Sequence, residues 1–302
     1  MADRRNADEE SAITQQVDSS SLAPWLNGES FEQICSRYDR DGYIIFHNVM
    51  PPDQVASVRA ALAPHLTKTG RNDFEGFRSN RVYSLIAKSP EVFSDMITHP
   101  LALAFAERDL GRSCLLSALL AINLLPGESV QGWHCDDEQI DVARPHQPFG
   151  VSAFWAIDDT TEFNGATEII PRSHRWGQAE IATLPVDGGL YGAQAKQAEE
   201  DLQPRADSIK ATMPSGSLMI AKGTLYHRGG ANLSKTSRLI VTPQYCPGWA
   251  RQLENMILSV SPQVAATLPR RTRELLGYNI HAAFMGYVDG VHPDRTLGIE
   301  AS

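Results

Sequence analysis

The sequence predicts a mainly β domain, an antiparallel sandwich or barrel with helices on its flank. Two patterns predict it. From about residue 114 onward, short apolar runs recur between Gly, Pro, Asn and Asp punctuation, as in a chain of short strands and tight turns. Upstream of that point the apolar residues repeat at helical spacing instead. Composition agrees: 302 residues, 42% hydrophobic and 21% charged, suffice for one large domain with a sizeable core.

The elements follow in order. Residues 1–24, polar and without apolar periodicity, predict a mobile tail, and residues 25–302 a single domain. Ser30-Phe-Glu-Gln33 reads as a capping box that opens a short helix reaching Tyr38. Asp41-Gly42 turns the chain into a strand at Tyr43–Phe46, rich in β-formers. Pro51-Pro52-Asp53 starts a second helix, with Val55, Val58, Leu62 and Leu66 along one buried face. A third helix is expected from Pro90 through Leu110. Strands are then expected at Leu115–Leu125, Val151–Ile157, Thr167–Ile170, Ser217–Ala221 and Arg238–Tyr245. Turns between them fall at Pro126-Gly127, Asn164-Gly165, Pro214-Ser-Gly216 and Gly229-Gly230. Residues 178–207 read as an insertion with some helix, and the chain from Gln252 on as helix followed by loop.

Charge and cysteine usage narrow the function. With 27 Lys and Arg against 36 Asp and Glu, the formal charge is −9, which argues against nucleic acid or an anionic membrane surface as partner. No apolar window long enough to span a bilayer is present. Cys35, Cys114, Cys135 and Cys246 are scattered and form no CxxC pair, so neither a disulfide framework nor a zinc ribbon is indicated. A cytoplasmic protein with a small-molecule substrate is the economical expectation, and a homodimer is compatible with it.

The most informative string is Gln131-Gly-Trp-His-Cys-Asp-Asp137. On an extended chain His134 and Asp136, two apart, leave from the same face and offer an imidazole beside a carboxylate. A distant histidine would complete a two-histidine, one-carboxylate facial triad, the donor set of non-haem iron(II) oxygenases. An HxD pair is common by chance, so its context carries the case. Of nine histidines, His227 is the best third ligand, between the strand-like 217–221 run and the turn beginning Arg228-Gly229-Gly230. His174, in Pro-Arg-Ser-His, is its rival. Eleven residues past His227, Arg238 enters an apolar strand. Buried there it needs an anion, either an internal carboxylate or a carboxylate ligand that its planar fork would grip.

Several motifs in one order resemble the phytanoyl-CoA dioxygenase family of iron(II)- and 2-oxoglutarate-dependent oxygenases. They are the strand after Asp41-Gly42, the Pro126-Gly127-Glu128 turn, Gln131-x-x-His134-x-Asp136, Trp155, Asn164-Gly165-Ala-Thr167, Pro171-x-Ser-His174, and His227 with Arg238. The resemblance runs from Asp41 to about Trp249. It implies a double-stranded β-helix (a cupin-like jelly roll) as the single catalytic domain, with iron(II), 2-oxoglutarate and dioxygen as cofactor and cosubstrates. It implies His134, Asp136 and His227 as metal ligands and Arg238 as the grip on the distal carboxylate of 2-oxoglutarate. Gln131, Thr167 and Arg81 match cosubstrate-contacting positions, which leaves His174 a structural or supporting role. A carboxylate at position 136 weighs against halogenation.

The expected reaction is hydroxylation or a related C–H oxidation of a small, moderately apolar organic molecule, in natural-product metabolism. An acyl-CoA hydroxylase of lipid metabolism is the alternative on the same metal core, with Arg78, Arg81 and Lys88 as its thin supply of phosphate-binding cations. A jelly-roll binding protein without catalysis, or a zinc hydrolase, would leave Arg238 without a purpose. Pocket walls are expected from Phe74–Tyr83, residues 178–207 and Tyr278–Tyr287.

Overall fold

Ser30 opens the first long helix through reciprocal hydrogen bonds. Its Oγ accepts from the Gln33 amide (3.2 Å), and its own amide donates to Gln33 Oε1 (2.8 Å). Helix α1, Phe31–Asp41, buries Ile34, Cys35 and Tyr38 and ends at Gly42, whose φ of 86° closes the last turn. Strand β1, Tyr43–Phe46, follows directly. Helix α2, Pro52–Leu62, buries Val55, Val58 and Leu62, while Leu66 packs just beyond a 3-10 turn at Ala63–His65. The computed structural model describes residues 19–72, 74–184, 205–282 and 284–299. Residues 1–18 of the expected tail and 185–204 of the expected insertion lie outside them. Ser19–Leu22 forms a helical turn that already buries Leu22, ahead of Trp25.

The single helix expected over 90–110 is two, α3 at Pro90–Ile97 and α4 at Pro100–Leu110. Pro100 has no amide to donate and crowds its predecessor out of the helical region, so His99 adopts φ −56°, ψ 128° and caps α4 instead.

Among the described residues nine strands form two antiparallel sheets. The major sheet has the order β1-β7-β4-β9-β3-β2, from β2 (Ser79–Val82), β3 (Leu115–Leu124), β4 (Val151–Ala156), β7 (Leu218–Lys222) and β9 (Arg238–Cys246) with β1. The minor sheet has the order β6-β5-β8, from β5 (Glu168–Ile169), β6 (Ile209–Lys210) and β8 (His227–Arg228). From β4 onward the chain passes back and forth between the sheets, with β5 and β6 consecutive in the minor one, which is the winding of a double-stranded β-helix. The six expected strands are all present with ends shifted by at most one residue; β2, β6 and β8 are additions.

The major sheet is covered on both faces. Leu119, Ala121, Trp155, Leu239, Val241 and Tyr245 point to the helices, against Phe93, Leu101 and Phe105. Phe154, Ala156, Met219, Ala221 and Ile240 point inward toward Ile169 and Met213 of the minor layer. This two-sided burial explains why β3 and β4 read as continuous apolar runs rather than alternating ones. Each such large side chain contributes about 1.5–3 kcal/mol relative to exposure. The Tyr245 hydroxyl, donating to Ile97 O (2.8 Å), ties β9 to α3.

After β9 the chain doubles back over the start of β3. Glu254 N donates to Ser117 O (2.8 Å), Leu253 N to Ser117 Oγ (3.1 Å), and Gln252 Nε2 to Leu116 O (2.7 Å). Helices α5 (Pro262–Thr267) and α6 (Arg270–Leu276) follow, and a buried Arg273–Asp294 pair (3.1 Å) holds the terminal 3-10 turn to α6. Among the described residues no helix is long and apolar enough to cross a membrane.

Candidate metal centre and its cavity

His134 and His227 come from segments 93 residues apart in sequence and pair as one antiparallel bridge that extends the minor sheet past β8. His134 N donates to His227 O (3.0 Å) and His227 N to His134 O (2.8 Å). Residues directly opposite in such a pair project to the same side, and the two ring centroids stand 4.5 Å apart. Each Nδ1 lies on the carbonyl oxygen two residues upstream, Gly132 O for His134 (2.9 Å) and Leu225 O for His227 (3.0 Å). A carbonyl can only accept, so Nδ1 carries the proton in both rings and Nε2 presents its lone pair.

Strand-like geometry ends right after His134: residues 136–139 form a turn, pinned where Asp137 N donates to Gly223 O (3.0 Å). The turn, rather than a continuing strand, brings Asp136 back beside the histidines. Its Oδ1 stands 3.8 Å from His227 Nε2, and its Oδ2 accepts from the Ser152 hydroxyl on the inner face of β4. One donor atom from each of His134, Asp136 and His227 lies within 4.8 Å of the others. Burial, followed by the facing His227, holds His134 well below the ordinary imidazole range, so it is neutral as a ligand must be. Two imidazoles and a carboxylate on one side of a cavity suit a divalent iron and leave its opposite positions open.

His174 is excluded from this cluster. Its Nε2 donates to Asp39 O (3.0 Å) and its ring packs against Gly42, where a Cβ would lie 2.4 Å from Nδ1. It buttresses the corner between α1 and β1.

All seven residues singled out from sequence line one cavity of about 510 Å³: the three ligand candidates with Arg238, Gln131, Thr167 and Arg81. Arg238 is 2% exposed. Its Nη2 donates to Gly165 O, while Nε and Nη1 are buried and find no partner among the described residues. Burial depresses it to about 10. The internal carboxylate that would have satisfied Arg238 is thus missing among those residues, and its two remaining donors await an anion. Among the described residues Arg81 also pairs with no carboxylate; Nε donates to Glu75 O (2.8 Å) and Nη2 to Phe74 O (3.2 Å). The two arginines flank β3 from either side, Arg81 in register with Ile122 and Arg238 with Leu124. Gln131 spans the cavity wall, Nε2 donating to Phe74 O (2.6 Å) and Oε1 accepting from Gly229 N (2.8 Å). Thr167 enters the wall from the Asn164–Ala166 turn, where Gly165 (φ 89°) leaves no room for a Cβ beside Leu124.

Four contributors were not singled out from sequence. Ser152 orients Asp136, and Phe154 sets its ring edge-on to His227 at 5.6 Å. A polar serine inside the wholly buried Val151–Ala156 run was the available signal. Leu253 and Glu254 form the outer wall, whereas the described residues of 278–287 line neither this cavity nor the adjoining one. The doubling back of 247–255 over β3 displaces that expected C-terminal wall. The adjoining cavity, about 280 Å³, shares Asp136, Gln244 and Leu253 with the first and is edged by Phe149 and Trp249.

A family model described as phytanoyl-CoA dioxygenase (PhyH) matches residues 38–240. The dioxygenase trt7 of Aspergillus terreus is 27% identical over 68% of this chain and 70% of its own length. The dioxygenase FrzG of a Cladobotryum species is 26% identical over 82% and 84%. Among solved structures, the epimerase SnoN in complex with Fe3+, alpha ketoglutarate and nogalamycin RO aligns with a TM-score of 0.54 at 22% identity, over 72% of this chain and 83% of its own, a likeness of fold. With the family model spanning more than half the sequence, and a donor set and cavity that fit, the chain belongs to the phytanoyl-CoA dioxygenase family of iron(II)- and 2-oxoglutarate-dependent oxygenases.

Proposed function

We propose that this dioxygenase carries out hydroxylation or a related C–H oxidation on a small, moderately apolar organic substrate in natural-product metabolism. The observation that carries the reading is Arg238, a buried guanidinium with two unpartnered donors, in the same cavity as a two-histidine, one-carboxylate cluster.

Residue roles follow from that geometry. His134 and His227 offer Nε2 and Asp136 a carboxylate oxygen to iron(II). Arg238 would supply N–H donors and positive charge to the distal carboxylate of 2-oxoglutarate, with Arg81 adding to the positive field. Gln131 holds Phe74 and Gly229 in place around the cosubstrate, and Thr167 offers a hydroxyl to it. Leu120, Ile122, Phe154 and Ile240 keep the cavity wall apolar and restrict water. When bound, iron(II) and 2-oxoglutarate together supply the dioxygen activation that breaks a substrate C–H bond.

The natural-product setting is supported by SnoN, which comes from nogalamycin biosynthesis. Against an acyl-CoA substrate stand the three cations it would need. Arg78, Arg81 and Lys88 already direct side-chain donors to main-chain carbonyls, at Pro126, Glu75 and Tyr83 respectively. We also read residues 25–302, with the Ser19–Leu22 turn packed onto them, as one catalytic domain. A cytoplasmic protein, without a nucleic-acid partner, fits the −9 charge and four buried, unpaired cysteines; a homodimer is compatible with it.

The test is anaerobic reconstitution with iron(II) and 2-oxoglutarate, followed by succinate release with panels of natural products and of acyl-CoAs. Metal uptake, a charge-transfer absorbance on adding 2-oxoglutarate, and stimulation by the first panel are expected. Stimulation by acyl-CoAs alone would favour the lipid-metabolism alternative, and a protein taking up no iron would be a binding module.

A further inference from the structure

We propose that Glu254 recognises a protonated amine on the primary substrate; the inference rests on the oxygenase reading of the cavity given above. Along β9 the residues facing the cavity are Arg238, Ile240, Thr242 and Gln244. Gln244 stands six residues from Arg238, roughly 20 Å away at strand spacing. Register places Gln244 opposite Ala118 on β3 and Ser152 on β4, and Ser152 holds Asp136. Arg238 therefore marks one end of the cavity, and Gln244 the opposite, substrate-facing end.

Glu254 lines that second end. Its amide donates to Ser117 O (2.8 Å), at the irregularity in β3 between Leu116 and Ala118, so its backbone is fixed there. Its Oε1 accepts from Ser84 Oγ (2.6 Å), while its Oε2 is buried with no partner among the described residues.

The other carboxylates of the cavity are accounted for. Glu75 is held by Arg71 and the Tyr83 hydroxyl, and Glu128 by the amides of Arg78 and Ser129. Asp136 belongs to the metal cluster. Outside the metal cluster, and among the described residues, Glu254 is the carboxylate of this cavity that keeps a donorless oxygen. Among the described residues neither Lys88, whose Nζ donates to Tyr83 O (2.7 Å), nor Arg251, which lines the adjoining cavity, forms an ion pair with it.

A buried carboxylate oxygen without a donor is costly, and a neutral hydroxyl would give it a hydrogen bond while leaving its charge uncompensated. A protonated amine supplies donor and charge together. The surrounding Ala118, Leu120 and Leu253 suit an amine on an apolar skeleton. The cavity then carries opposite polarity at its two ends, guanidinium for the dianionic cosubstrate and carboxylate for a cationic substrate.

The experiment compares cyclohexylmethylamine with cyclohexylmethanol, matched in size, by anaerobic calorimetry on the protein loaded with iron(II) and 2-oxoglutarate at pH 7. The amine is expected to bind about tenfold tighter or better, and Glu254→Gln, which keeps the acceptor for Ser84, to abolish the preference. The charge-transfer absorbance of the iron–2-oxoglutarate complex should be equal in both proteins. Equal binding of amine and alcohol by the natural protein, or no binding of the amine, overturns the proposal, and that comparison decides even where the variant does not fold. A preference that persists in Glu254→Gln overturns it too. Absence of the absorbance in the natural protein instead defeats the oxygenase reading itself.

Discussion

His134 and His227 hold each other by their backbones: each amide donates to the other's carbonyl, at 3.0 and 2.8 Å, while both imidazoles turn to one side. The ligand geometry is therefore built by main-chain pairing and not by the rings. His134→Ala or His227→Ala should leave the bridge and the fold intact yet abolish iron uptake and turnover. Iron content after gel filtration, beside an unchanged far-ultraviolet spectrum, checks this. His174→Ala, away from the cluster, should retain its iron.

Ser152 is the hydroxyl that fixes the Asp136 carboxylate. Ser152→Ala should weaken metal affinity by about 10–100-fold, the usual consequence of removing a partner that orients a ligand. Competition with a fluorescent chelator measures it. An unchanged affinity would mean that Asp136 is oriented by other contacts.

Arg238 carries two unpartnered buried donors. Arg238→Met should weaken 2-oxoglutarate binding by about 2–5 kcal/mol, the range for removing one partner of a buried charge pair. Without cosubstrate the same variant should be at least as stable as the natural protein, since an apolar side chain of similar length replaces an unpaired buried charge. Thermal unfolding with and without 2-oxoglutarate reads both effects. The natural protein should gain melting temperature with the ligand, and the variant should not.

His99 packs between Trp25 and Trp155 (centroids 4.7 and 5.1 Å), and burial lowers its imidazole to about 4. The unfolded chain binds that proton near the ordinary value of about 6.5, so between roughly pH 6.5 and 4 the unfolded state is the more protonated. The stability from a neutral His99 is complete above pH 6.5 and is lost as pH falls toward 4, by up to about 3 kcal/mol. Urea unfolding at pH 7.5 and 5.0 should show the decline. His99→Asn, which keeps an acceptor for the Leu101 amide, should make it shallower, leaving the shares of the other buried imidazoles, His134 and His174.

Local chemistry was the legible part of the fold. The Ser30–Gln33 box, Gly42, and the apolar runs of β3, β4 and β9 are written in neighbouring residues. The break at Pro100 was written there too; helical spacing across 90–110 masked it. What could not be read are relations between distant segments. Strand β2 has no apolar run of its own and exists because it pairs with β3, and β8 is two residues long. In the site, the pattern around His134, Asp136, His227 and Arg238 was legible because each motif is short. That Arg238 lacks an internal carboxylate among the described residues, and that Glu254 keeps an unmet oxygen, depend on what the folded chain brings near them.

The doubling back of residues 252–254 over β3 separates two kinds of change. Its anchors at Leu116 and Ser117 involve the amides of 253 and 254 and the Gln252 side chain, so the side chains of Leu253 and Glu254 take no part in them. The metal cluster rests on a different set of bonds, at Gly132, Leu225 and Ser152. A lineage can thus exchange the residues that greet the substrate while the oxidising centre stays untouched, a division suited to diversifying one chemistry across many molecules.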